Sequence, residues 1–266
     1  MEREARKAQG GIMELGLKNR TAFITGGSAG IGFAIAEAFV EEGANVIIAS
    51  RDYSHVENAV KKLKRKNPTV KILGKELDLN DEKKIRKVVT DIQKAGNIDI
   101  LINNVGGPAA GATLDISLEG WDKGYQSLLR SVILLSQLVL PGMKKRKWGR
   151  VLTVTSTSAV EIIPKLPVSA TFRAGLTAYT KSLAKEVGRT GILVNNLLPG
   201  PTGTARLEEL KKKSPAFFES MAQETAVGRI AEPEEIARVA VFLCSNGNTY
   251  VTGTDVLADG GYTKAL

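Results

Sequence analysis

Thr25-Gly26-Gly27-Ser28-Ala29-Gly30-Ile31-Gly32 follows a short apolar run, Thr21–Ile24, and leads into Ile31–Glu42, whose apolar residues recur at helical spacing. Ile31, Ile35, Ala38 and Phe39 share one side of that segment, and Gly43 stops it. Three spaced glycines alone say little; a strand before them and an amphipathic helix after them give the spacing meaning. Gly26 permits a tight turn, Gly30 lets backbone approach a pyrophosphate, and Gly32 lets helix and strand pack closely. The backbone around Ser28, Ala29 and Ile31 then presents open amides to an anion at the helix start. The competing reading is a glycine-rich turn that holds nothing.

The same alternation runs through the rest of the chain. Val46–Ala49, Val70–Leu77, Ile98–Ile102, Arg150–Val154, Ile192–Leu197 and Thr254–Leu257 read as strands. Val56–Lys66, Asp81–Ala95, Leu118–Lys145, Ser169–Gly188 and Pro233–Leu243 read as helices, and Thr204–Glu224 as a helix broken at Ser214-Pro215. Strands that are continuous apolar runs, alternating with helices, imply the α/β class: a doubly wound parallel sheet of about seven strands with helices on both faces. No linker or composition shift divides the chain, so residues 13–266 are expected to form a single Rossmann-fold domain. Residues 1–12 are polar and patternless and read as a disordered extension, with Met13 a candidate start.

Composition narrows the functional classes. The 266 residues are 43% apolar and 24% charged, an ordinary soluble balance. No continuous apolar run reaches the ~18 residues of a membrane span, and no signal-type segment follows the basic start. The single cysteine, Cys244, excludes an internal disulfide framework and fits a reducing cytoplasm; within Val239–Cys244 it reads as a buried inert thiol. His55 is the only histidine and has no cysteine near it, so no His/Cys metal site is expected. A net charge of +9 raises the question of nucleic acid. The runs Lys61–Lys66, Lys144–Lys147 and Lys211–Lys213 are scattered and lack interleaved aromatics, so they read as solvated helix ends. The positive field favours a phosphate-bearing cofactor or an acidic carrier-linked substrate.

About 20 residues past the glycine turn, a carboxylate would bind a ribose 2′-hydroxyl and favour NAD. This chain has Ser50-Arg51 there. A serine does not repel a 2′-phosphate and an arginine grips one through two hydrogen bonds, so NADP(H) is favoured over NAD(H). The plainer reading of Arg51 is a surface loop arginine.

The chain resembles the short-chain dehydrogenase/reductase family, and within it the 3-oxoacyl-acyl-carrier-protein-reductase-like branch, from about Leu15 to Tyr262. Thr25–Gly32 is similar to the family's TGxxxGxG turn, and Asp78 with Leu79 to the aspartate segment that meets the adenine ring. Asn103-Asn104-Val105-Gly106 resembles the NNxG motif, and Pro199-Gly200 with Thr204 the PGxxxT segment beside the nicotinamide. Gly228-Arg229, Pro233-Glu234-Glu235 and Asp259-Gly260-Gly261 match C-terminal landmarks. The resemblance implies an NADP(H)-dependent reductase acting on a small or acyl-carrier-linked carbonyl compound. It also implies a homotetramer or homodimer built on Leu118–Lys145 and Ser169–Gly188, while the scattered charge and short apolar runs lead to the expectation of no nucleic-acid or membrane partner.

The family's catalytic Asn, Ser, Tyr and Lys do not all carry over. Ser156 stands where the serine belongs. Thirteen residues on, Ser169 replaces the tyrosine, four beyond it Arg173 replaces the lysine, and Leu128 holds the asparagine position. Ala174-Gly175-Leu176 and Lys181–Glu186 fix that register. A serine hydroxyl is a far weaker acid than a phenol, and arginine stays protonated throughout the working range. General acid catalysis contributes ~10²–10⁴-fold in rate, so this loss matters. Three stand-ins are open: Tyr125 one turn before Leu128, Lys165 in the loop before Ser169, and water relayed through Ser169. Tyr179 is more than two turns past the active position and offers no rescue. Arg173 is expected to hold the ribose hydroxyls as the lysine does. Pro201–Val227 corresponds to a mobile substrate lid, with Phe217 and Phe218 as candidate apolar lining.

Three functions therefore compete: a reductase with a non-standard proton donor, a catalytically impaired dinucleotide-binding sensor or partner-binding module, and a lyase or isomerase on the same scaffold.

Overall fold

The computed structural model describes residues 14–265, apart from the side chains of Arg206, Leu210, Lys213 and Phe217. The expected extension 1–12, Met13 and the Phe217 lining lie outside the described residues. Seven strands form one sheet: β1 (Thr21–Thr25), β2 (Asn45–Ser50), β3 (Ile72–Glu76), β4 (Ile100–Asn104), β5 (Gly149–Val154), β6 (Ile192–Pro199) and β7 (Asp255–Ala258). All are parallel, in the order β3-β2-β1-β4-β5-β6-β7. The chain builds outward from β1 to β3, then returns to lay β4 on the other side of β1. That reversal opens a crevice at the carboxyl ends of β1 and β4, where such sheets bind ligands.

The crossover helices are α1 (Gly30–Glu41), α2 (Tyr53–Lys66), α3 (Glu82–Ala95), α4 (Leu118–Arg146), α5 (Pro167–Val187), α6 (Ala205–Lys213), α7 (Pro215–Glu224) and α8 (Pro233–Cys244). Strand periodicity of two sorts the core into two layers. Ala22, Ile24, Val46, Ile48, Ile100, Ile102, Leu152 and Val154 face one layer with Phe39, Val56 and Ile236. Phe23, Ile47, Leu101 and Val151 face the other, with Ile85, Leu135, Val139 and Val187. Strands buried on both faces cannot show polar alternation, which is why inner strands such as β1 and β2 read as apolar runs, whereas the edge strand β3 carries Lys75 and Glu76.

Helix α4 is more complex than its sequence spacing predicts. It runs unbroken for 29 residues, but Tyr125–Arg130 forms a π-helical turn. Ser127 Oγ donates to Lys123 O at 2.8 Å and Ser131 Oγ to Ser127 O at 2.5 Å. Hydroxyls that bond back to the preceding turn loosen a helix locally, and π-turns gather at functional sites. The helix is also long and apolar enough to cross a membrane by length and composition. Its apolar face is instead buried in the second core layer, through Leu134, Leu135, Val139, Leu140 and Met143.

Candidate active site

The glycine turn is built as its sequence requires. Gly26 and Gly30 have φ of 59° and 54°, the left-handed region where a side chain is strained. A Cβ on Gly32 would lie 2.1 Å from Gly26 O and 2.5 Å from Asn104 Nδ2, so only glycine lets α1 sit this close to β1 and β4. Asn104 ties the turn to β4: its Nδ2 donates to Gly26 O at 3.1 Å, its N–H to Thr25 Oγ1 at 3.0 Å. The start of α1 differs from its neighbours. Asp52 caps α2 by accepting from Ser54 N, and Asp81 caps α3 by accepting from Lys84 N. α1 has Ala29 at its cap position, no capping side chain and no acidic residue in its first turn. Its leading amides and the positive end of its dipole are thus left for an external anion.

The other expected cofactor contacts gather on the same edge. Ser28 and Ser50 share a hydrogen bond of 2.9 Å, which brings the end of β2 to the glycine turn, with Arg51 exposed beside it. Leu77 donates its N–H to Ser50 O at 2.9 Å and so places Asp78 and Leu79 next to it. Asp78 Oδ1 accepts from Asn80 N and Nδ2, which shapes the turn leaving β3. Pro199 ends β6, and Gly200 and Thr204 follow it. A Cβ on Gly30 would meet Thr204 Cγ2 at 3.3 Å, so Thr204 closes over the glycine turn.

Two features test whether a dinucleotide fits here. Gly106 would have nothing within 4 Å of an added Cβ, so the wall past Asn103 and Asn104 faces open space. Asn103 is fully buried, its Nδ2 reaches Thr153 Oγ1 at 3.4 Å, and its Oδ1 has no hydrogen-bond partner among the described residues. A buried acceptor without a donor is costly unless a ligand or water supplies one. The residues present fit the group.

Ser156, at the end of β5, lies on the same edge. Its Oγ accepts from Ser158 N at 3.2 Å. Ser158 and Ser169 share a hydrogen bond of 2.9 Å between their hydroxyls, and Arg173 Nε donates to Ser169 Oγ at 3.2 Å. Arg173 further donates from Nη1 to Val154 O at 3.0 Å and from Nη2 to Val105 O at 3.4 Å. Ser158, Ser169 and Arg173 are all at most 5% exposed. Ser156, Ser169 and Arg173 are therefore brought together, as the register predicts. The guanidinium clasps the ends of β4 and β5 in addition to any ligand role.

Ser158 is the member that sequence reasoning missed. It fills the space beside Ser169, and its N–H orients Ser156. The signal was available: two hydroxyl residues, Ser156 and Ser158, flank Thr157 where the chain leaves a strand.

The stand-in acids fare differently. Leu128, in the π-turn, is 1% exposed and supplies only apolar surface. Tyr125 is 41% exposed and packs its ring on Phe172, with centroids 6.0 Å apart. Lys165 is exposed, takes φ of 64° and offers its carbonyl to Gly111 N–H at 2.9 Å. Neither is brought to Ser156 by a contact in the structure. Tyr179 packs on the second core layer; burial pushes its phenol up, partly countered by a hydrogen bond with Ser136.

Comparison with known proteins gives this geometry a family. The sequence profile described as enoyl-(acyl carrier protein) reductase matches residues 26–263. The chain belongs to the short-chain dehydrogenase/reductase family. It is 35% identical over 255 residues to dehydrogenase/reductase SDR family member 4 of Bos taurus, covering 94% of this chain and 89% of that one. It is 34% identical over 254 residues to the 3-oxoacyl-[acyl-carrier-protein] reductase FabG of Aquifex aeolicus, covering 94% and 99%. Among solved structures, L-sorbose reductase from Gluconobacter frateurii, complexed with NADPH and L-sorbose, superposes with a TM-score of 0.90 at 32% identity. That match covers 96% of this chain and 100% of the other. A seven-stranded parallel short-chain dehydrogenase/reductase fold, in an oxidoreductase family with reductases among its neighbours, is thus shown.

Proposed function

We propose that this chain is an NADP(H)-dependent oxidoreductase that reduces a carbonyl compound, with a proton donor other than the family's tyrosine. The observation that carries the reading is the edge formed by Ser28, Ser50 and Arg51. Two hydrogen-bonded serines and an exposed arginine stand where a carboxylate would select NAD. The neighbour crystallised with NADPH supports the same choice. Bound along the crevice, the reduced nicotinamide would supply hydride. The glycine turn would hold the pyrophosphate, Ser50 and Arg51 the 2′-phosphate, Asp78 and Leu79 the adenine, and Asn103, Pro199, Gly200 and Thr204 the nicotinamide side. Ser156, oriented by Ser158, donates a hydrogen bond to a substrate carbonyl oxygen. Ser169, held by Arg173 on one side and Ser158 on the other, carries the hydroxyl through which water can deliver the proton. Arg173 keeps a fixed positive charge beneath the site and favours developing negative charge on that oxygen.

Titration with NADPH and NADH tests the cofactor. NADPH is expected to bind at least about tenfold tighter, a difference of 1.4 kcal/mol, and Arg51→Ala to remove the preference. Equal affinity for the two sinks it. Turnover is tested with NADPH and a panel of ketones that includes 3-oxoacyl thioesters. No oxidation above background with NADPH bound refutes the reductase reading.

One observation favours the second reading, a binder that has lost its chemistry. Leu128 is buried and apolar, and Ser169 and Arg173 are knit into the protein's own hydrogen bonds. The Ser169→Tyr, Arg173→Lys double variant separates the two. Activity in the double variant alone makes the native chain a sensor; activity in both keeps it an enzyme. The reading also has the chain assemble as a homodimer or homotetramer through α4 and α5, where Trp121, Tyr125 and Phe172 form a partly exposed aromatic cluster. Light scattering in solution checks this.

A further inference from the structure

A cavity of about 140 Å³ is lined from Thr157, the chain neighbour of Ser156 and Ser158, onward. One wall is the segment that joins Ser156 to α5: Thr157, Glu161 and Ile163. Glu224 at the end of α7 and Tyr262 and Thr263 past β7 form the other walls. The C-terminal wall is pinned. Asp259 accepts from Gly261 N at 2.9 Å, Thr263 N at 2.9 Å and Thr263 Oγ1 at 2.6 Å. Lys264 N–H closes the ring by donating to Glu161 Oε2 at 2.6 Å. Val227 N–H donates to Gly260 O at 3.2 Å and ties the end of the lid segment to the same wall.

We propose that this cavity selects the substrate, taking the hydroxylated end of an uncharged polyhydroxy ketone and turning away anionic carbonyl compounds. The proposal rests on the reductase reading for what happens to the ketone, but the cavity's selectivity stands on its own walls. Among the described residues Glu161 accepts from Lys264 N and Glu224 Oε1 from Ser220 Oγ at 2.9 Å, one hydrogen bond each. An ionised carboxylate has about four acceptor sites, so both retain capacity for hydroxyl donors. Tyr262 adds a phenol that gives and accepts. Burial pushes it up, and the charges of Glu224 and Glu161 push it further, so it stays protonated at working pH. Thr157 and Thr263 bring hydroxyls as well, and Ile163 leaves room for carbon-bound hydrogens.

The same walls act against anions. Among the lining residues two carboxylates, Glu161 and Glu224, stand against one cation, Lys264. A substrate carboxylate or phosphate would enter against like charge. Size argues alike, since the cavity measures only about 140 Å³. That suits a short hydroxylated chain. The chain's overall positive charge favours acidic carriers, whereas this local arrangement opposes them.

The test uses the full chain, with and without saturating NADPH, and calorimetric titration with three probes: L-sorbose, 5-ketogluconate and 2-hexanone. L-Sorbose is expected to bind at least about tenfold (1.4 kcal/mol) tighter than 5-ketogluconate, which differs by an end carboxylate. Glu161→Gln with Glu224→Gln keeps the anchoring oxygens and should bring that ratio near one. Tyr262→Phe should weaken L-sorbose about tenfold by the same conversion and leave 2-hexanone unchanged. Melting temperatures close to that of the native chain show that the variants fold. Equal binding of the two keto compounds, a ratio unmoved by the variants, or no association with or without NADPH overturns the proposal. NADPH consumption in the same solutions reports separately on the reductase reading. Selective binding without consumption sinks that reading alone, and consumption of ketones without discrimination sinks the cavity assignment alone.

Discussion

At Gly32 two residue-scale effects oppose each other. Alanine in the first turn of α1 would gain up to about 1 kcal/mol in helix propensity over glycine. Its Cβ, however, would stand 2.1 Å from the carbonyl oxygen of Gly26 and 2.5 Å from Asn104 Nδ2. Backbone cannot step aside as a flexible side chain can, and overpacking of this kind costs roughly 1–3 kcal/mol. The clash wins. Gly32→Ala should lower Tm by roughly 2–4 °C per kcal/mol lost, and it should weaken NADPH binding at least about tenfold, because the displaced turn carries the anion-facing amides. A variant as stable as the native chain with unchanged affinity would mean the turn relaxes freely. The functional meaning of this glycine is legible in sequence because its partners are local or sit in a motif of fixed spacing. Ser158 is not legible in that way. Its partner Ser169 lies eleven positions on and becomes a neighbour only when α5 folds back over the end of β5. Tyr262 is harder still, since Glu161 and Glu224 belong to two other elements.

Among the elements, α8 shows how a helix start is secured without Ser, Thr or Asp. Pro233 occupies the first turn, where a missing N–H costs nothing, and Glu235 reaches back to accept from Glu232 N at 2.9 Å. Arg229 grips the same carboxylate through two nitrogens at 2.6 and 2.7 Å. The Arg229 hydrogen bonds, then the Glu232 amide, bring Glu235 down from 4.5 to about 2. A carboxyl lowered in the folded state adds stability that is complete above its unfolded value and disappears as pH falls toward about 2. Glu235→Gln should therefore be less stable than the native chain at neutral pH, and the gap should close between about pH 4.5 and 2. Denaturant unfolding at several pH values measures it; a gap independent of pH would assign the effect to packing instead. The pair is reached by solvent, so added salt should narrow the gap as well. Such a start was visible as Pro233-Glu234-Glu235. The π-turn of α4 was not, because Leu128, Val132 and Leu135 keep an apolar spacing that an ordinary helix would also satisfy. Ser127 and Ser131 bond back within α4, and such rotamers leave no trace in a periodicity. β4 likewise extends two residues beyond its apolar run, since Asn103 and Asn104 are held by Thr153 and Thr25 rather than by burial of carbon.

For the whole molecule, the question is whether the two core layers on either face of the sheet open together. Cys244 allows it to be asked with one probe, as the chain has no other cysteine. Its thiol is fully buried in the layer of Phe39 and Ile236, and burial pushes it up to about 12. A thiol reagent attacks the thiolate, so the native chain should be inert and labelling should report opening of the structure. Phe39→Ala empties a site in the same layer, at a cost of about 3–5 kcal/mol; Leu135→Ala empties one on the opposite face, at about 2–5 kcal/mol. The inner strands β1, β2, β4, β5 and β6 contribute side chains to both layers, so loss on one face weakens the sheet that anchors the other. Both substitutions should then speed Cys244 labelling, by a factor of ten for each 1.4 kcal/mol of lost stability, and both should follow the global unfolding curve in denaturant. If Phe39→Ala accelerates labelling and Leu135→Ala, though equally destabilising, does not, the faces open independently. The crevice at the carboxyl ends of β1 and β4 would then be bordered by two units of separate stability, instead of one sheet that holds every site residue in register.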